Sequence, residues 1–184
     1  MATFLLGACP YDPSTKYGYI YIRRLAEKIV ELGHKVILLR HANLQEFKSV
    51  LLTYNPPIVV LNGHGGEKGI SGCNGNIILG VKGYDRDLEL TIYGDNTAWM
   101  RNRIVYLFSC NCGKELAPAL VNSGAIAVAA YKDEFLFITD DEKPPLKDEY
   151  AKMLKYEESV KRDKEIVKLR EKITGNAASR LENG

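Results

Sequence analysis

The sequence contains no apolar run near the roughly 18 residues that a membrane-crossing helix requires. It also lacks a basic leader: Met1-Ala2-Thr3 passes straight into FLLGAC, which is too short for a secretory apolar region. These two absences set the expectation of a cytoplasmic protein with no membrane partner. Charge of one sign is missing as well, because 25 Lys and Arg are interspersed with 23 Asp and Glu for a net +2. A nucleic-acid binder concentrates positive charge on one face, so no nucleic-acid partner is expected. Neither GxxxxGK[ST] nor a Gly-x-Gly-x-x-Gly opening a helix is present, and nothing else in the chain calls for a cofactor. Internal repeats and low-complexity blocks are absent too.

Cysteine and histidine are scarce: cysteines stand at 9, 73, 110 and 112, and histidines at 34, 41 and 64. No Cys-x-x-Cys occurs. Cys110-Asn111-Cys112 is a poor chelate and a strained disulfide, so no metal site is expected from it. Four cysteines permit two disulfides, but a chain of 184 residues is large enough not to need staples. Thiols in a reducing compartment are the expectation.

What is present is a rhythm. Five strand-length apolar runs occur, at 3–9 (TFLLGAC), 35–41 (KVILLRH), 58–63 (IVVLNG), 103–110 (RIVYLFSC) and 125–131 (AIAVAAY). They are rich in Val, Ile and Leu without alternation, as in strands covered on both faces. Between the first two, Ile22, Leu25, Ile29 and Leu32 fall at helical spacing, with Gly33 placed to end the helix. Between the second and third, Asn43 can cap a helix whose Leu44, Phe47, Val50 and Leu51 share a face, and Pro56-Pro57 stops it. KELAPALVNSG links the last two runs, with Gly124 past its end. Strand alternating with helix predicts an α/β fold with a three-layer αβα arrangement and a mostly parallel central sheet.

Residues 64–98 break the rhythm. They are glycine-rich, with β-like pieces NIILGV and LELTIYG, and predict a hairpin-bearing insertion followed by helix near NTAWMRNR. After Tyr131 a short strand, Pro144-Pro145 and a strongly charged stretch follow. Leu146, Tyr150, Met153, Val160, Val167 and Ile173 make a thin apolar stripe along 146–173, which predicts helices that pack on the body or on a partner. The expected organisation is an α/β domain over 1–143 and a charged helical extension with a frayed tail over 144–184. A protein partner or a homo-oligomer formed through those helices is the corresponding expectation.

In open parallel sheets the functional crevice lies beyond the carboxyl ends of the strands. There the chain places Cys9, then Asn62-Gly63-His64-Gly65-Gly66, then Ser109-Cys110-Asn111-Cys112-Gly113, then Tyr131-Lys132-Asp133-Glu134. A cysteine nucleophile needs a base that raises its thiolate fraction and N–H donors for the oxyanion of acyl transfer. His64 can be the base. Gly65 can donate its N–H and bears no side chain to block a substrate carbonyl, and a helix starting just after Gly113 would favour a thiolate at Cys110.

VVLNGHGG and IVYLFSCNCG, two apolar strands ending in His-Gly and in Ser-Cys-x-x-Gly, resemble the motifs of the caspase-like cysteine peptidases. This group includes caspases, metacaspases, gingipains, clostripain, separase and the CHAT proteases. ALVNSGAIAVAAYKDE is similar to the stretch that leads to the specificity pocket in CHAT and gingipain-like members. The resemblance spans about residues 3–140 in element order and implies a caspase-like fold and a peptide or protein substrate. It implies Cys110 as nucleophile, His64 as general base and acid, and the Gly65 and Cys110 N–H groups as the oxyanion site. Phe108 stands where metacaspases carry an acidic residue. Asp133 and Glu67 are then the candidate substrate-binding carboxylates, and Asp133 in the pocket would select Lys or Arg before the cut.

Each residue has a plainer reading. A cysteine at a strand end is often buried filler, and Cys112 is read that way. His34 is read as supporting a helix end, and His41 as facing solvent. Two alternatives stay open for the whole chain: a non-catalytic caspase-like protein-binding module, and a Zn-binding α/β protein using Cys9, His64, Cys73, Cys110 and Cys112.

Overall fold

A computed structural model describes residues 1–134. The expected boundary at 143/144 and the expected helices of 146–173 lie outside the described residues. Within them the protein is α/β, with five parallel strands in one central sheet and three helices. The strands are β1 (Thr3–Gly7), β2 (Lys35–Leu39), β3 (Ile58–Asn62), β8 (Ile104–Phe108) and β9 (Ala127–Ala130). The helices are α1 (Pro13–Glu31), α2 (Leu44–Tyr54) and α3 (Leu116–Asn122). Two short antiparallel hairpins, β4 (Gly69–Ser71) with β5 (Ile77–Gly80) and β6 (Gly83–Asp85) with β7 (Leu90–Ile92), fill the glycine-rich insertion as expected. The helix expected near NTAWMRNR is a single 3-10 turn, Thr97–Met100.

Sheet order is β2-β1-β3-β8-β9. The chain therefore moves from β1 outward to β2, then returns past β1 to β3 and continues in that direction. Right-handed crossovers running in opposite directions put their helices on opposite faces of the sheet. Residue alternation fits this. Leu5, Ile37, Leu39, Val59, Leu61, Val105 and Leu107 form one cluster with Phe47, Val50 and Leu51 of α2 and Leu116 and Leu120 of α3. Leu6 and Val60, one position on and so on the opposite face, are buried too, as is Ile22 of α1, which packs on β2 and β3. Each fully buried Leu or Phe here contributes roughly 2 kcal/mol of transfer free energy. The arrangement is compatible with three αβα layers.

Local chemistry sets the helix ends. Asn43 caps α2 by accepting the Glu46 N–H at 2.9 Å, and Gly33 and Gly124 take the left-handed conformation just past α1 and α3. Two boundaries differ from expectation. Helix α1 begins six residues before the YIYIRRLAEK run, because Asp12 caps it in a capping box with Thr15 and Pro13 supplies a preset first-turn φ. Its buried face runs through Thr15, Tyr19, Ile22 and Ile29, while Leu25 and Leu32 are exposed. Helix α3 begins at Leu116 and not just after Gly113. Pro118 has no N–H to give to an earlier turn, so it is accommodated only in the first turn.

Cysteine pairing also departs from expectation. Cys9, two residues past β1, and Cys73, 64 residues further on, are joined in a disulfide with Cα atoms 5.2 Å apart. Domain size did not exclude a staple: the bond ties the end of the β1 segment to the glycine-rich insertion, which is also anchored by Ile70, Ile78 and Leu79 in the core cluster. Such bonds persist in oxidising surroundings, so this one runs against the expected set of four thiols in a reducing compartment.

Candidate functional site

The reversal of strand order lies between β1 and β3, where the crevice of an open α/β sheet forms. Asp12 follows β1, His64 follows β3 and Cys110 follows β8, so all three reach the same edge of the sheet from neighbouring strands.

The His64 segment is held by backbone pairing. The Ser71 N–H donates to the His64 carbonyl at 2.8 Å and the Gly66 N–H to the Gly69 carbonyl at 2.9 Å, which makes Gly65 and Ile70 a non-hydrogen-bonded antiparallel pair. In such a pair N–H and C=O point away from the partner strand. Among the described residues the Gly65 N–H donates no hydrogen bond. Gly66 leaves room for the buried Asp85 carboxylate, which accepts the N–H groups of Lys68 at 2.7 Å and of Asp87 and Leu88 at 3.1 Å. Asp85 thereby pins the second hairpin to the histidine loop.

Across from it, the chain leaves β8 in a tight turn. The buried Ser109 hydroxyl donates to the Gly63 carbonyl at 2.6 Å, and the Cys112 N–H turns back to the Cys110 carbonyl at 2.7 Å. Asn111 takes the left-handed conformation that this reversal needs (φ 58°), which asparagine tolerates better than most residues. Gly65 closes against this turn. A Cβ at Gly65 would collide with the Cys110 carbonyl oxygen and the Ser109 hydroxyl, and would stand 2.7 Å from the Cys112 sulfur. The His64-Gly65 and Ser109-Cys110 segments thus touch through the one residue that has no side chain.

The two cysteines of the turn differ sharply. Cys112 is fully buried in the α2–α3 core cluster, where its thiol donates to the Gly69 carbonyl at 3.6 Å. Burial pushes its pKa up to about 12, so it is an inert thiol at neutral pH. It lies in the turn, before the first turn of α3. Cys110 is only partly buried and is also a thiol.

His64 is half exposed, and its Nε2 is 2.7 Å from Oδ2 of Asp12. The Tyr11 ring stands edge-on to the imidazole at 5.7 Å. The other Asp12 oxygen, Oδ1, accepts the Ser14 hydroxyl at 2.5 Å and the Thr15 N–H at 3.0 Å. Burial alone would raise the Asp12 pKa, but those two donors and the His64 ring outweigh it and hold the carboxyl at about 2. Asp12 is the site residue that sequence reasoning missed. Asp-Pro-Ser-Thr announces a helix start, but the contact joins residues 52 apart and has no local signal.

The candidate carboxylates are placed differently. The Asp133 carbonyl accepts the Asn111 N–H at 3.3 Å, so its backbone runs beside the cysteine turn with its side chain exposed. Glu67 sits on the turn of the histidine loop, where its carboxylate pairs with Lys114 at 3.2 Å and its carbonyl accepts the Leu116 N–H at 2.8 Å. Helix α3 is tied to the histidine loop by that last bond. Of the five residues considered as zinc ligands, Cys9 and Cys73 are bonded to each other, with His41 Nδ1 3.9 Å from the Cys73 sulfur. Among the described residues no group of three or more His, Cys, Asp or Glu is placed to hold a metal ion. No helix among them is long and apolar enough to cross a membrane.

No protein-family model matches this chain, and no curated protein matches it.

Proposed function

We propose that this chain is a caspase-like cysteine endopeptidase acting on peptide or protein substrates. The observation that carries the reading is the contact of Gly65 with the Cys110 turn. In it a histidine loop with an uncommitted N–H, at the switch point of a parallel sheet, packs against the turn that carries a partly exposed cysteine on the next strand. His64 takes the thiol proton, and the Cys110 sulfur attacks the scissile carbonyl to form the S–C bond. The electron pair of the carbonyl moves to oxygen, where the Gly65 and Cys110 N–H groups stabilise it. Collapse of that intermediate breaks the C–N bond, and His64 protonates the departing amine. Water then attacks the thioester with His64 as base, releasing the acid and restoring the thiol. Asp133, beside the turn, is the better placed of the two candidate specificity carboxylates, since Glu67 already faces Lys114. A cytoplasmic compartment is proposed on the sequence reading alone, and the Cys9–Cys73 disulfide stands against it.

Digestion of a mixed peptide library, read by mass spectrometry of new chain termini, tests this. Cleavage by the wild type that vanishes in Cys110→Ala and in His64→Ala is expected. No cleavage, or cleavage that survives Cys110→Ala, overturns the reading.

A further inference from the structure

Asp12 does two jobs with one carboxylate. Its Oδ1 is committed to the start of α1 through Ser14 and Thr15, and its Oδ2 faces His64 Nε2 at 2.7 Å. A carboxylate fixed on one side by a helix N-terminus cannot swing away from the ring it meets on the other. The positive end of α1 also favours its ionised form. An ionised carboxylate accepts hydrogen bonds and donates none, so the nitrogen it faces must carry the proton.

We infer that Asp12 is the positioning residue of a Cys110–His64–Asp12 triad, one that holds neutral His64 in the Nε2–H form and leaves Nδ1 as the nitrogen that exchanges protons with the thiol and the substrate. This rests on the peptidase reading for the role of Cys110, but not for the state of the histidine. Three further contacts restrict the same pair. Tyr11 stands edge-on to the ring, the Ser71 N–H holds the His64 carbonyl, and Gly18 lets α1 close onto the side chain of Asn62, two residues before His64. Among the described residues Asp12 is the one anionic group in contact with the ring, so the imidazolium formed on proton uptake has its counter-ion already in place.

The test separates this role from a structural one. Asp12→Ser keeps a good N-cap for α1 but is too short to reach the imidazole. Nitrogen-15 spectra of the His64 ring, recorded where it is neutral, should show a single Nε2–H form in the wild type and a mixture of both forms in Asp12→Ser. Alkylation of Cys110 by iodoacetamide at neutral pH should slow by about tenfold in that variant, part of the roughly hundredfold or more that a positioned general base contributes. Circular dichroism checks that the variant keeps its helices. Should it unfold, the wild-type spectrum still decides: a ring protonated on Nδ1, or already mixed, overturns the inference. An Asp12→Ser ring spectrum identical to the wild type overturns it as well. A changed ring form with unchanged alkylation supports Asp12 as the residue that orients His64 and contradicts the peptidase reading instead.

Discussion

At the scale of single residues, Gly65 and Cys112 matter for opposite reasons. Gly65 is required for what it lacks, because any Cβ there meets the Cys110 carbonyl and the Ser109 hydroxyl. Gly65→Ala is therefore expected to cost about 1–3 kcal/mol, as overpacking does, and to reduce Cys110 reactivity by pushing the two loops apart. Urea denaturation with parallel alkylation kinetics checks both. Cys112 is buried as a neutral thiol. Its pKa rises from 9.0 to about 12 on folding, so the unfolded chain releases that proton first as pH climbs. Stability is then fully present below about pH 9 and declines between 9 and 12, by an amount on the order of a few kcal/mol. Cys112→Ala should flatten that alkaline decline in a pH series of denaturation curves. The sequence made Cys112 legible as filler and His64 as lying outside the core, since a histidine between glycines at a strand end has little core to join. It left Asp12 illegible because a capping aspartate and a histidine-orienting aspartate are the same residue type, and only the fold joins 12 to 64.

At the scale of elements, the β-strands announced themselves through unbroken Val, Ile and Leu runs, and their ends were overestimated by about two residues at Cys9 and Cys110. Those extra residues have left the sheet to make turns, which apolar composition cannot reveal. Helix ends were legible where a capping residue or glycine stood alone, at Asn43, Gly33 and Gly124. They were not where proline changed meaning with position, as at Pro13 and Pro118. The disulfide was the least legible element, since spacing does not disclose pairing. It ties the segment just before Asp12 to the insertion that follows His64. Closing a loop of 64 residues removes unfolded-state entropy worth about 4 kcal/mol in the chain-entropy account. Reduction, or Cys73→Ser, is expected to lower denaturation stability by that order, with intact-mass alkylation showing two reactive thiols in the unfolded protein before reduction and four after it.

At the scale of the whole molecule, strand order makes the site. A sheet running β2-β1-β3-β8-β9 reverses direction once, and the two loops flanking the reversal carry Asp12 and His64 while the next strand delivers the Cys110 turn. Strand and helix alternation showed the α/β class and the parallel sheet from the sequence, but the order of strands within it depends on which helix crosses which face. The central claim is that this edge activates one thiol of the four cysteines. Peptide mapping after brief exposure to an electrophilic peptide probe at neutral pH tests it most directly. The account predicts modification at Cys110 alone, lost in His64→Ala; equal labelling of Cys110 in that variant, equal labelling of Cys110 and Cys112, or none at all would contradict it.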